Sequence, residues 1–235
     1  MKLTYIYHSG FAIEGRGITI IIDYWRDPHN IIGHLLKNEG EIYVMASHFH
    51  PDHFDPIIFS WKDQRPDIHY ILSKDILKHR KANKDAATYL AKGHQYEDDN
   101  ILVKAFGSTD VGVSWYIETC GKKIFHAGDL NNWHWQDDCP REESQEYEKA
   151  YLGELKNICK EVKSLDLLMF PIDRRLGSEY MRGASQFIEK IQVGLFAPMH
   201  FTSYPPSYAN AFKTIAKENS VSFFEINEEG DTIEF

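Results

Sequence analysis

The residues best suited to chemistry sit in one short stretch, Met45-Ala46-Ser47-His48-Phe49-His50-Pro51-Asp52-His53. Four side chains able to ligate a metal, His48, His50, Asp52 and His53, fall within six positions. If the strand ending at Ala46 stays extended, His48 and His50 project to the same side, because side chains alternate along a strand. Pro51 then forces a turn, since its ring fixes φ and it lacks an N–H. The turn lets Asp52 and His53 address a neighbouring location, so the geometry points to two adjacent metal positions. Imidazole with carboxylate suits Zn²⁺, and also Mn, Fe, Co or Ni. The bland alternative is a polar loop that happens to hold histidines. Three imidazoles and a carboxylate at the end of an apolar strand are too costly to bury without a purpose for that to be preferred.

The elements that must position this cluster are legible in the hydrophobic pattern. Leu3 to Tyr7, Phe11 to Glu14 and Ile18 to Asp23 are β-prone runs separated by Ser9-Gly10 and Gly15-Arg16-Gly17 turns. Ile31, Ile32, Leu35 and Leu36 recur at helical spacing. Ile42 to Ala46 is a buried strand that runs into the histidines, and Ile68 to Leu72 is another, with Ser73 placed to cap a following helix. Lys92 to Asn100 is polar and reads as a loop. Ile101 to Phe106, Gly112 to Glu118 and Lys123 to His126 form a second block of strands. Tyr147, Tyr151, Leu155, Ile158, Val162 and Leu165 step by three or four, which predicts one long surface helix. Leu167 to Pro171 and Gly194 to Pro198 are buried strands, with a helix between them turning Tyr180, Ala184, Phe187, Ile188 and Ile191 inward. A last helix holds Tyr208, Phe212 and Ile215, and Val221 to Ile226 and Thr232 to Phe235 close the chain as strands. The order repeats in two similar halves without a linker, so an α/β arrangement of two face-to-face sheets with helices outside, in one domain over residues 1–235, accommodates it.

Composition narrows the function classes. The chain has 235 residues, 43% of them hydrophobic, enough for a sizeable core. Its formal net charge of -9 disfavours a nucleic-acid partner, which calls for a basic track. The opening residues alternate like a strand and lack the apolar core of a signal peptide. Apolar runs such as Ile18 to Ile22 are too short to span a bilayer, so no membrane association is expected. Cys120, Cys139 and Cys159 match no zinc-ribbon spacing and are odd in number, which reads as reduced thiols in a cytoplasmic protein. A homo-oligomer is compatible with all of this.

The histidine segment resembles the signature H-x-H-x-D-H of the metallo-β-lactamase superfamily, and the resemblance extends over nearly the whole chain. Gly17 to Asp23 looks like that family's early strand ending in Asp, Phe125-His126-Ala127-Gly128-Asp129 like its later Gly-Asp, and Ala197-Pro198-Met199-His200-Phe201 like its final histidine. The resemblance implies a four-layer αββα sandwich with one or two divalent cations, zinc first, at the strand ends. It implies one site with His48 and His50, a second with Asp52, His53 and His200, and Asp129 bridging them. Asp52, His53 and Asp129 are then the candidate catalytic groups, serving a metal-activated water that attacks a small ester, lactone or phosphoester. Asp23 is expected to orient a ligand histidine. A looser resemblance leads to the branch that contains L-ascorbate-6-phosphate lactonase.

The chain departs from the family at one point. Most members supply a third histidine to the first site from a loop in the second block, and Val103 to Trp115 contains none. Asp110 is a candidate substitute, and so is His134 within Asn131-Asn132-Trp133-His134-Trp135, which could alternatively donate a proton or line a substrate pocket. Without a substitute the second site is the tighter one. Arg174 or Arg175 is a candidate clamp for a carboxylate or phosphate, against the alternative of an ion pair with Asp173. His8 is a further residue that could face the site. Besides hydrolysis, the incomplete first site leaves open a non-hydrolytic metal-binding or sensing protein. A nuclease of the ribonuclease Z type conflicts with the acidic charge, and a flavin-linked di-iron oxidoreductase has no room for its flavin domain.

Overall fold

The computed structural model describes residues 1–201 and 204–235. The N-terminal half builds one sheet: β1 (Lys2–Tyr7), β2 (Gly10–Gly15), β3 (Ile18–Ile22), β4 (Glu41–Ala46), β5 (His69–Ser73) and β6 (Thr88–Leu90), with helices α1 (Ile31–Leu35) and α2 (Lys74–Lys78) between strands. The second half builds another: β7 (Gln95–Glu97), β8 (Leu102–Phe106), β9 (Ser114–Thr119), β10 (Lys122–His126), β11 (Ser164–Pro171), β12 (Gln192–Met199) and β13 (Ser222–Phe223). Helices α3 (Arg141–Glu161), α4 (Arg182–Ile188) and α5 (Lys213–Glu218) accompany it, and β14 (Thr232–Glu234) returns to the first sheet. The sheets have the orders β14-β1-β2-β3-β4-β5-β6 and β13-β12-β11-β10-β9-β8-β7.

Strand alternation explains the layers. In β3 and β4, Ile20, Ile22, Tyr43 and Met45 face the second sheet and pack with Val103, Trp115, Phe125 and Leu167. Their neighbours Ile21, Ile42, Val44 and Ala46 face outward and pack with Ile32 and Leu35 of α1 and with Phe54, Ile58 and Trp61. A strand buried on both faces reads as a continuous apolar run, which is why Ile18 to Ile22 does. On the far side, Tyr151, Leu155 and Ile158 of α3 cover the second sheet. Helices, sheet, sheet and helices make the αββα sandwich of the metallo-β-lactamase type, as the sequence implies.

Several local expectations are corrected. Within the polar stretch 92–100, Gln95–Glu97 pairs antiparallel with β8, because an edge strand needs only a partner ladder and can leave its side chains in water. The stripe expected on one long helix is shorter: Tyr147 is exposed, Val162 caps α3, and Leu165 lies in β11. Ile191 lies beyond α4 and Tyr180 precedes it. Ser73 stands at the N-cap of α2 with extended φ/ψ, but its side chain makes no capping bond. The strand expected over Val221 to Ile226 shrinks to Ser222–Phe223, and Tyr208 and Phe212 lie in a 3₁₀ segment, Pro206–Phe212, rather than in the α-helix. A second 3₁₀ segment, Pro56–Asp63, follows the histidine cluster; the Asp55 carboxylate accepts from Ile57 N–H at its start, and Ile58 and Trp61 are buried along it. Among the described residues no helix is long and apolar enough to cross a membrane.

β3, β4 and β5 run parallel, as do β10, β11 and β12. Their C-terminal ends therefore open on one edge of the sandwich, where parallel sheets characteristically bind ligands.

Candidate metal centre

Each side chain of the cluster is delivered by a strand end. Asp23 ends β3, Ser47 and His48 follow β4, Ala127-Gly128-Asp129 follows β10, Asp173 follows β11, and His200 follows β12. His8 lies in the turn joining β1 to β2. The backbone is strained where these residues turn inward: His8, Asp23 and His200 have φ of 54, 50 and 72°, in the left-handed region. Cross-links hold that strain. His8 N–H donates to the Tyr5 hydroxyl at 2.8 Å, His200 N–H donates to the His8 carbonyl at 3.1 Å, and Asp23 N–H donates to the Met45 carbonyl at 2.9 Å.

Asp129 is the centre. Its two carboxylate oxygens lie 3.2 Å from His48 Nε2, 3.1 Å from His53 Nε2 and 3.4 Å from His200 Nε2. The ring nitrogens on the other side are fixed. His53 Nδ1 bonds Asp23 at 2.7 Å, His200 Nδ1 bonds Asp173 at 2.8 Å, and His48 Nδ1 contacts Ser47 Oγ at 3.0 Å. Asp23 also accepts from Ser47 N–H and Oγ at 2.7 and 2.6 Å, so one buried carboxylate orients both the strand end and His53. Ligand atoms of His48, His53 and Asp129 lie within 4.8 Å of one another, and so do those of His50, Asp110 and Asp129, and those of His8, Asp52, His53 and His200.

Electrostatics follow from this packing. Burial works against the Asp129 charge, yet His53, His200 and His48 hold its pKa well below the carboxylate range. Burial likewise opposes charge on His53 and His200, but Asp129 with Asp23 raises the first well above its usual value, and Asp129 with Asp173 raises the second to about 9. His8 goes the other way, down to about 2, through burial and the neighbouring positive His200 and His53. Asp173 falls to about 2: burial would raise it, but His200 and Arg175 prevail. A dense set of imidazoles around a carboxylate thus needs positive charge, which protons supply when no cation does.

A divalent cation fits these residues. His8 Nε2, His48 Nε2, His53 Nε2 and Asp129 Oδ1 are buried and have no hydrogen-bond partner among the described residues. Buried polar atoms without partners are rare and costly. Here they converge, and imidazole with carboxylate is the donor set of catalytic zinc sites. A cavity of about 370 Å³ opens over them, lined by His50, Asp52, Asp110, Asp129, Trp133, Trp135, Tyr147, Arg175 and His200. A larger depression of about 560 Å³ beside Lys122 and Asp166 contains none of the histidines.

The other candidate residues separate. Asp110 stands beside His50 and Asp129, where the family's third histidine is missing. Thr109 helps place it: Asn131 N–H donates to Thr109 Oγ1 at 2.9 Å, bracing the loop after Asp129. His134 does not reach the cluster. Its Nδ1 accepts from Gln136 N–H and its Nε2 bonds the Glu179 carbonyl, so it ties backbone together instead of supplying a ligand or proton. Arg174 lies over the Tyr204 ring, 5.5 Å from its centre, away from the expected clamp position. Arg175 takes the place at the cavity while pairing with Asp173 at 2.5 Å, so the ion pair and the cavity position belong to one residue. Asp173 as the partner of His200 is the one member the sequence did not single out. Its signal, a carboxylate directly after a buried strand, is the same one that Asp23 carries.

The fold and the cluster define a metallo-β-lactamase-type protein. A model of the beta-lactamase superfamily domain matches residues 2–200, and the chain belongs to that superfamily. It is 26% identical over 217 residues to a UPF0173 metal-dependent hydrolase of Korarchaeum cryptofilum, covering 87% of this chain and 85% of the relative. It is 24% identical over 224 residues to a UPF0173 protein of Pyrococcus furiosus, covering 91% and 89%. Among solved structures it is similar to Igni18, described as a novel metallo hydrolase from Ignicoccus hospitalis, with a TM-score of 0.69, 20% identity and coverage of 100% and 98%. That likeness concerns the fold.

Proposed function

We propose that the chain, as one domain over residues 1–235, hydrolyses a small ester, lactone or phosphoester at the Asp129 cluster. The coarse class, a metal-dependent hydrolase, is that of its superfamily and of the relatives above. The observation that carries the metal-dependent reading is the convergence of unpartnered buried Nε2 atoms of His48 and His53 on the Asp129 carboxylate. In this reading His48, His50 and Asp110 hold one cation, Asp52, His53 and His200 hold another, and Asp129 is shared. Zinc suits the donors best, and Mn, Fe or Ni are compatible with them.

When bound, such a cation supplies water with a pKa drawn towards about 7 and positive charge beside an oxygen that becomes negative. The chain's own residues do the rest. Asp52, half-buried at the cavity, accepts the proton of the attacking water. Asp23 and Asp173 fix the tautomers of His53 and His200, leaving each Nε2 lone pair turned inward. Trp133, Trp135 and Tyr147 wall the cavity and exclude water from the apolar part of a substrate. Arg175 places positive charge at the rim, suited to an anionic substituent. The cavity is of small-molecule size.

The competing reading, a metal-binding or sensing protein, drew its support from the missing histidine. Asp110 beside His50 supplies a donor at that position, which weakens it. A panel of esters, lactones and phosphodiesters, run with zinc-loaded, chelated and reloaded protein, tests the proposal. Turnover that disappears on chelation and returns with zinc is expected. Turnover that survives chelation, or none from loaded protein on any of the three classes, would overturn it.

A further inference from the structure

The twelve histidines of this chain include several buried ones, and their ring nitrogens sort them. His126 and His134 use both: His126 Nε2 bonds the Ser9 carbonyl and its Nδ1 accepts from Gly128 N–H, and His134 is held by Glu179 and Gln136. His48 and His53 follow another pattern, with Nδ1 fixed by a neighbour and Nε2 buried without a partner. His8, outside the family signature and fifteen or more residues from any strand end that carries it, belongs to the second group. Its Nε2 is buried and without a partner among the described residues.

That atom has a direction. His8 Nε2 lies 3.4 Å from Asp52 Oδ2, and the ligand atoms of His8, Asp52, His53 and His200 are all within 4.8 Å of one another. The ring centre is 4.5 Å from that of His200 and 5.4 Å from that of His53. Only 2% of the residue is exposed, so it cannot serve a substrate in the open cavity. The backbone makes an effort to hold it there: φ of 54° is unfavourable for histidine, and both its N–H and its carbonyl are locked, to Tyr5 Oη and His200 N.

We propose that His8 Nε2 is a direct ligand of the cation held by Asp52, His53 and His200. This rests on the preceding assignment of a cation to that cluster. It gives the second position three imidazoles and a carboxylate of its own, a full four-donor set before Asp129 is counted. The position then depends less on the shared carboxylate than the His50 and Asp110 position does. Binding uses the existing Nε2 lone pair and leaves the Nδ1 proton in place, so His8 itself releases no proton.

His8→Asn is the informative variant. Asparagine tolerates the left-handed backbone and keeps a donor near the Nδ1 position, but has no atom at Nε2. Chelated wild-type and variant proteins are titrated with Zn²⁺ against a chromophoric chelator, with the unfolding temperature of each chelated protein as the folding control. The variant should lose more than about 100-fold in affinity at one of the positions, above the ~10–100-fold typical of losing an outer partner. Independently, wild-type protein labelled with ¹⁵N-histidine and loaded with ¹¹³Cd should show cadmium coupling to the His8 ring nitrogen. The coupling stands as the test if the variant fails to fold. Wild-type affinity in folded His8→Asn, or no coupling to His8 where His53 and His200 show it, would overturn the inference and leave the cation site intact. No coupling to any histidine, with no zinc bound, would instead overturn the underlying assignment.

Discussion

The Asp23 carboxylate lies 2.7 Å from His53 Nδ1, and both side chains are wholly buried. Asp23 accepts the hydrogen bond from Nδ1–H, which leaves His53 Nε2 facing Asp129. Asp23→Asn keeps the shape and tolerates the left-handed φ of 50°, but removes the charge that favours that tautomer. Zinc affinity should fall about 10–100-fold, the range for losing an outer partner of a ligand histidine. A competitive zinc titration reads it, and wild-type affinity in the variant would refute the role.

The two cation positions should differ in strength. His53 and His200 are buried, while His50 is half-buried and Asp110 is exposed. Exposed donors are mobile and compete with water, so the Asp110 position should empty first. Elemental analysis after mild chelation should find one ion fewer in Asp110→Ala than in a fully loaded wild type, with the tighter ion kept. In Asp52→Ala the tighter ion should be lost instead. Unchanged metal content in Asp52→Ala would contradict the assignment.

Much of this centre was legible because its donors come in contiguous motifs at strand ends. His48, His50, Asp52 and His53 share one segment, and Asp129 and His200 each follow an apolar run that marks a buried strand. What was not legible depends on which strand ends and turns meet. Asp173 finds His200 only because β11 and β12 run parallel with Pro171 beside Met199. For His8 the sequence shows only that it could face the site; its meeting with Asp52, His53 and His200 depends on how the β1–β2 turn, the histidine segment and the end of β12 come together. The sequence left Arg174 and Arg175 as alternatives for a local reason: the two lie in a 3₁₀ segment, Arg174–Glu179, where one residue is about a third of a turn and sends adjacent side chains to different places. His134 looked free in sequence because nothing there reveals that the Glu179 carbonyl would meet it.

Stability of the chelated protein should peak near neutral pH. His200 rises in the fold from 6.5 to about 9 because, against burial, Asp129 and Asp173 favour its proton. Its contribution is full below the unfolded value and is lost as pH climbs through about 9, on the order of 3 kcal/mol in all. His8 falls to about 2 through burial and its positive neighbours, so the fold excludes its proton and loses stability as pH drops below the unfolded value of 6.5. Asp173, lowered to about 2, adds stability above 3.8 that also disappears in acid. Urea unfolding of chelated protein at pH 5, 6.5 and 9 should place the maximum in the middle. With zinc bound, the decline towards pH 9 should vanish, because the cation replaces the protons. A flat profile for the chelated protein would count against these charge states.

Gly112 offers a test of how the Asp110 loop is seated. It has φ of +74°, and a Cβ there would collide with the Ser47 carbonyl and with His48. The adjacent Val113 N–H donates to that same Ser47 carbonyl at 3.0 Å, so the loop lies directly on the start of the histidine segment. Gly112→Ala must either adopt a strained left-handed φ or lift the loop. Either response costs about 1–3 kcal/mol, the usual scale for forcing extra volume into a packed contact. Lifting the loop also draws Asp110 away from His50. The variant should therefore unfold at lower temperature when metal-free and bind one zinc ion fewer, while the ion at Asp52, His53 and His200 is retained. Loss of both ions together, at an unfolding temperature matching wild type, would show that Gly112 supports the two positions alike and that the loop does not serve one of them.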